Sequence, residues 1–149
     1  MSTIAVNKRA SFDYEIIDKY EAGLVLSGAE VKSIKTGHIS LKGSFVTFRG
    51  TEPFLTNADI PFYRFAGNPA NYDSRQPRKL LLKKSEIKNL LGKIKVKGLT
   101  LVPIRVYTKK RLIKLEFGVG RGKKEYDKRE SIKQKENKRK TQRLLRNIG

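Results

Sequence analysis

From Thr100 to Val119 apolar and polar residues alternate with the two-residue period of an extended chain. Thr100, Val102, Ile104 and Val106 are placed on one face of a strand. Ile113, Leu115, Phe117 and Val119 are placed on one face of its partner, with Thr108-Lys109-Lys110-Arg111 as the turn. Phe45–Arg49 and Pro53–Asn57 read as a second strand pair around Gly50-Thr51-Glu52. Asp13–Tyr20 and Ala22–Leu26 read as two strands of a third hairpin, turning where Glu21 and Gly23 stand. The helical period occurs twice. Ser27-Gly28-Ala29-Glu30 has the form of a capping box, in which Ser27 and Glu30 each accept from the other's backbone amide. Val31 and Ile34 then share a face, Lys32 and Lys35 point away from it, and Gly37 ends the turn. Ile87, Leu90, Leu91 and Ile94 follow an i, i+3, i+4, i+7 rhythm, with Ser85 as cap. The stretch 64–79, rich in Gly, Asn and Pro, reads as a loop carrying Arg64, Arg75, Arg78 and Lys79.

Several short strands and two short helices predict a mainly β fold: a small closed antiparallel barrel with flanking short helices and a basic C-terminal tail. The periodicity stops near Gly122. Between Asp127 and Arg143 the one aliphatic residue is Ile132, so no apolar stripe exists for docking. Yet Glu125/Arg129 and Glu136/Lys140 stand four apart in the helix-favouring order. The chain therefore divides into a folded body, 1–122, and a tail, 123–149, expected to be disordered alone and helical once its charge is neutralised.

Charge narrows the function. Of 149 residues 34 are Lys or Arg and 14 are Asp or Glu, a formal net charge of +20. Residues 121–149 hold 12 basic and 4 acidic residues; residues 1–120 hold 22 and 10. A compact particle so charged repels itself unless an anionic partner neutralises it. A membrane is the weakest candidate, because no apolar run approaches the roughly 20 residues that span a bilayer. The N-terminal residues do not have the order of a signal peptide. Seven Phe and six Tyr make the chain too apolar for full disorder, and the lack of Cys fits a reducing cytoplasm.

Candidate chemistry is sparse. His38 is the single histidine, with no second His or Cys to complete a triad or metal site. The carboxylate pairs Asp13/Glu15 and Glu125/Asp127 lie among Lys and Arg and read as charge balance. Gly118-Val119-Gly120-Arg121-Gly122-Lys123 is one residue short of a phosphate-binding loop, and Lys124 stands where Ser or Thr would hold the metal. It reads instead as a flexible joint between body and tail. No enzyme, cofactor or metal site is expected. Tyr14, Tyr20, Tyr63, Tyr72 and Tyr126 are candidate stacking platforms for bases, with Tyr126 the most isolated among cations. No reading helix, zinc finger or heptad argues for duplex DNA, whereas a barrel with loops and a tail suits shaped RNA.

Six blocks carry a resemblance: Asn7-Lys8-Arg9-Ala10, Glu21-Ala22-Gly23-Leu24, Gly28-Ala29-Glu30-Val31-Lys32-Ser33, Arg78-Lys79-Leu80-Leu81-Leu82, Gly98-Leu99-Thr100-Leu101-Val102-Pro103, and Gly122-Lys123-Lys124-Glu125-Tyr126-Asp127-Lys128-Arg129. In order and spacing, from residue 5 to about 135, the chain resembles the small protein B (SmpB) family of bacterial tmRNA-binding, or SsrA-binding, proteins. The resemblance implies an OB-like barrel and a role in trans-translation, the rescue of stalled ribosomes. It implies binding to the tRNA-like domain of tmRNA and its delivery to the vacant A site, where the protein replaces the anticodon arm. The tail would enter the empty mRNA channel and become helical on the ribosome. Implied partners are tmRNA, both ribosomal subunits through ribosomal RNA, and, through tmRNA, alanyl-tRNA synthetase and elongation factor Tu; no cofactor is implied. Asn7, Lys8, Arg9, Glu21, Gly23 and Lys32 would form the tmRNA face. Gly122, Lys123, Lys124, Tyr126, Asp127, Lys128 and Arg129 would act at the decoding centre. Arg75 departs by one position from the family's usual basic run and has no assigned role; many relatives have His where Tyr126 stands. Two rivals remain: another basic ribosome-associated protein, and an RNA-processing enzyme.

Overall fold

The computed structural model describes residues 2–67 and 71–123. The expectation of a tail disordered alone and helical on the ribosome falls on 124–149, outside the described residues. Strand β1 (Ser2–Val6) leads into a single helical turn, α1 (Ala10–Asp13), and neither was anticipated from periodicity. There follow β2 (Tyr14–Leu24), α2 (Gly28–Lys35), β3 (Phe45–Arg49), β4 (Glu52–Thr56), a 3-10 turn (Arg64–Ala66), β5 (Arg78–Leu81), α3 (Lys84–Lys93), β6 (Leu99–Lys109) and β7 (Leu112–Gly122). All ladders are antiparallel, in the spatial order β1-β6-β7-β2-β5-β4-β3. Among the described residues no ladder joins β1 to β3, so the fold is a mainly β seven-stranded sheet with short helices, and the pairing described does not close a barrel. Among the described residues no helix is long and apolar enough to cross a membrane.

The β6–β7 hairpin dominates the sheet. Ile113, Leu115, Phe117 and Val119 are buried together, as their alternation requires. On β6 the expected face holds as far as Ile104 and fails at Val106. The register shifts between Pro103 and Arg105, and this bulge reverses the alternation. Leu101, Pro103 and Val106 thus pair with Val119, Phe117 and Leu115 on the core side, while Thr100 and Val102 face the other way. The turn is also tighter than expected. Thr108 and Lys109 are still paired, and only Lys110 and Arg111 form the loop, both left-handed at φ 51 and φ 67.

A second correction concerns β2, which carries a bulge of its own. Tyr14–Leu24 is one strand, paired along β7 from Tyr14↔Gly122 to Gly23↔Lys114, and not a hairpin. Its register shifts between Ile16 and Asp18. Ile17 is the extra residue and is 51% exposed, so the apolar pattern breaks there although the strand continues. Beyond the bulge Tyr20 and Ala22 pair with Phe117 and Leu115 in the core.

Gly118 and Gly120 are not a joint. Both are buried within β7. A Cβ on Gly118 would stand 2.7 Å from Ile16 Cγ2 and 2.8 Å from the Asp18 backbone oxygen. One on Gly120 would stand 3.0 Å from Tyr14 Cβ and 3.3 Å from Val102 Cγ2. These glycines let β2 and β6 side chains close over the sheet's second face, a use of glycine for proximity and not for freedom. Gly118→Ala should lower unfolding free energy by about 1–3 kcal/mol, read from the urea midpoint. Gly122→Ala, with nothing within 4 Å of the added carbon, is the control. Equal midpoints for the two variants would refute the packing argument.

The helices close the core face. In α2 the Ser27 hydroxyl accepts from the Glu30 amide at 3.2 Å, and Glu30 Oε1 accepts from the Ser27 amide at 3.0 Å, as the capping box predicts. Gly37 adopts φ 87 where the chain leaves the helix. In α3 the cap lies two residues before the expected Ser85: the Lys83 amide donates to Glu86 Oε1 at 3.2 Å. Ile34 and Leu90 from these helices are fully buried with Leu55, Ile60, Leu80 and Phe117.

Candidate nucleic-acid interface

The residues expected at the RNA face fall in three places. The first is the corner at α1. The Asn7 amide side chain donates to the Pro103 carbonyl at 2.8 Å, and its backbone amide donates to the Ile104 carbonyl at 2.8 Å. Asn7 therefore ties the end of β1 to the β6 bulge. Lys8 and Arg9 project outward from that tie. Arg9 pairs with Asp13 at 3.2 Å and lies 4.6 Å from the Phe12 ring centre. Asp13 thus balances charge, as read from the sequence. The end of the body meets the same corner: Gly122 pairs with Tyr14, and the Lys123 amide donates to the Asp13 carbonyl at 2.8 Å. Gly122 and Lys123, expected at a different RNA surface, are thus joined through Asp13 to Arg9. Lys124, Tyr126, Asp127, Lys128 and Arg129 lie outside the described residues.

The second place is the far half of β2. Glu21 stands across from Glu116 on β7, a like-charge pair that needs cations to settle it. They are present. Arg105 Nη2 reaches Glu116 at 3.3 Å, and Lys109 Nζ lies 3.6 Å from Glu21. The Tyr107 hydroxyl donates to Glu21. That bond, with the charges of Lys109 and Lys114, holds the Glu21 carboxyl below its ordinary value against the opposing effect of burial. Burial, followed by the bond to Glu21, pushes the Tyr107 hydroxyl up. Glu21 therefore remains an anion and acceptor at neutral pH, held in one orientation within a basic surround. Gly23 pairs with Lys114 two residues on. Tyr107, Lys109 and Lys114 escaped sequence reasoning, because only the β2–β7–β6 register places them beside Glu21.

The third place is Lys32 on α2. Its ammonium lies 5.8 Å from the Tyr63 ring centre, beside the exposed Phe65 and Arg64. The Tyr candidates separate accordingly. Tyr20 stacks on Phe117 at 5.7 Å and belongs to the core edge, and the Tyr72 hydroxyl is held by the Ile60 carbonyl at 2.6 Å.

Arg78, expected on a loop, is a correction. It opens β5 and is 2% exposed. Its Nε donates to Glu30 Oε2 at 2.8 Å, Nη1 to the Ala58 carbonyl at 2.9 Å, and Nη2 to the Tyr72 hydroxyl at 3.1 Å. Burial alone would raise the Glu30 carboxyl; the Ser27 amide and the Arg78 guanidinium outweigh it and hold the group below its ordinary value of 4.5. Arg78 is thus engaged inside the protein through all three guanidinium nitrogens.

A family model described as "SmpB protein" matches residues 4–147. The chain belongs to the SmpB family. Its similarity to proteins called "SsrA-binding protein" extends over nearly its full length. The Flavobacterium johnsoniae protein is 51% identical over 140 residues, covering 93% of this chain and 92% of that one. The Thermosipho africanus protein is 47% identical over 147 residues, 98% of each chain. A solved structure described as "tmRNA-SmpB: a journey to the center of the bacterial ribosome" superposes with a TM-score of 0.67 at 48% identity, covering 81% of this chain and 85% of that one. The five blocks that lie wholly among the described residues therefore belong to an SmpB fold, in which Asn7, Glu21 and Lys32 stand at a strand end, on a strand and on a helix.

Proposed function

We propose that this SmpB-family chain is a tmRNA-binding factor of trans-translation, acting on stalled ribosomes without catalysing a reaction. The match to SsrA-binding proteins over almost the whole chain carries the reading. The physical properties agree with it: a net charge of +20, cations at the α1 corner, and an oriented carboxylate at Glu21 able to accept from a base amino group or a 2′-hydroxyl. The body, 1–122, binds the tRNA-like domain of tmRNA through Asn7, Lys8, Arg9, Glu21, Gly23 and Lys32, with Asn7 serving mainly to set the corner that carries Lys8 and Arg9. The sheet supports an OB-like reading in one respect: β3, at its far edge, packs against β6.

In this reading the tail, 123–149, enters the empty mRNA channel, with Gly122, Lys123, Lys124, Tyr126, Asp127, Lys128 and Arg129 at the decoding centre, and contacts ribosomal RNA of both subunits. Alanyl-tRNA synthetase and elongation factor Tu are engaged through tmRNA, in the cytoplasm.

Chemical footprinting of tmRNA with the full chain is the direct test. Protection confined to the tRNA-like domain is expected; no protection, or equal protection of ribosomal RNA fragments, would sink the proposal. Affinity should also fall with salt, at a log–log slope of about −0.7 to −0.9 per neutralised phosphate. A flat titration would deny that phosphate contacts dominate. Magnesium-dependent cleavage of RNA by the purified chain would overturn its non-catalytic role.

A further inference from the structure

Between the end of α2 and the 3-10 turn lies a cavity of about 410 Å³, lined by Ser33, Thr36, His38, Tyr63, Arg64 and Phe65 among others. Its size falls within the roughly 300–1,000 Å³ of small-ligand sites. Phe65 is 72% exposed, the highest value among the large apolar residues of the described chain. A lone exposed apolar side chain is ordinary. Phe65 is not alone. It meets the Tyr63 ring edge to face at 5.4 Å, the Arg64 guanidinium lies 4.5 Å from its centre, and Lys32 lies 5.8 Å from the centre of Tyr63. Thr36 Oγ1, 2.9 Å from His38 Nδ1, adds a polar rim.

We infer that this cleft binds a single unpaired RNA base, stacked on Phe65, with the adjoining phosphate held by Arg64 and Lys32. Exposed aromatic rings interleaved with cations are what sequence-tolerant recognition of single strands requires, because every base has a π face and a phosphate beside it. The chain's own basic tail is a poor occupant: residues 121–149 carry 12 basic against 4 acidic residues, and the cleft is cationic. The Glu21 patch, at the far half of β2, reads polar groups; the Phe65 cleft adds a stacking contact on a different element.

The inference rests on the proposed RNA-binding role only in taking RNA as the partner, and its test is separate. The full chain is titrated with a single-stranded RNA decamer carrying 2-aminopurine, whose fluorescence is quenched on stacking. Wild type and Phe65→Trp should bind and quench. Phe65→Ala and Phe65→Leu should bind about 10-fold more weakly and lose the quench. Phe65 is so exposed that these changes leave folding intact, which a thermal melt checks. Unchanged affinity and quench in Phe65→Ala or Phe65→Leu would overturn the inference, as would equal quenching of the same label inside an RNA duplex. So would a polyglutamate peptide whose binding needs Phe65 while the decamer's does not, which would assign the cleft to an acidic protein. A chain that passes this test but protects no tmRNA would fail the proposed function alone.

Discussion

Arg78→Met is expected to cost about 3–5 kcal/mol of stability, because it strands the Glu30 carboxylate inside the protein. A domain of this size stands only about 5–15 kcal/mol above unfolding, so the variant should lose a large part of its urea resistance. Adding Glu30→Gln should restore part of the loss. It removes the stranded charge yet keeps an acceptor for the Ser27 amide. A cost below about 1 kcal/mol for Arg78→Met would mean that the pair is solvated, as surface pairs are. The pH dependence has a definite sign. Glu30 is held below 4.5 in the folded protein, so its contribution is complete above that value and is lost as pH falls through 4.5 and then through the lower folded value. Acid unfolding of Arg78→Met should lack this component.

Removing residues 124–149 should change tmRNA affinity by only a few-fold, yet abolish tagging on stalled ribosomes. The cut is placed after Lys123 because its amide is bonded to Asp13 and belongs to the α1 corner. Binding is measured by filter retention and tagging in a reconstituted translation reaction stalled on mRNA without a stop codon. Parallel loss of both would make the tail part of the primary RNA site, and retention of tagging would remove the tail from the mechanism altogether.

The local elements were the legible part of the sequence. The Ser27–Glu30 box, the β3–β4 pair and the core face of β7 each rest on residues a few positions apart. What escaped were consequences of a single inserted residue and of distant pairing. A bulge reverses every side chain beyond it, so Val106 was grouped with the wrong face of β6, while Glu21 and Gly23, both paired within β2, looked like a turn. Arg78 looked like its solvent-facing neighbours because its partner stands 48 residues earlier. Gly118 and Gly120 looked like a hinge because glycine serves mobility and close packing alike. The residues expected at the site came only from the family resemblance. Nothing local joins Glu21 to Tyr107 or Arg9 to Lys123, and only the register of the sheet does so.

The hairpin tip carries a conflict of its own. A two-residue turn with both residues left-handed is natural for Asn-Gly, yet Lys110 and Arg111 occupy it at φ 51 and φ 67. Each such L-residue costs roughly 1–2 kcal/mol against its preferred backbone. The tip is therefore a locally frustrated site, where a cationic sequence is kept against the conformational preference of its own residues. Mismatches of this kind gather where a protein answers to a partner as well as to its fold. Relaxing the turn toward Asn-Gly would strengthen the hairpin and discharge its tip in one step.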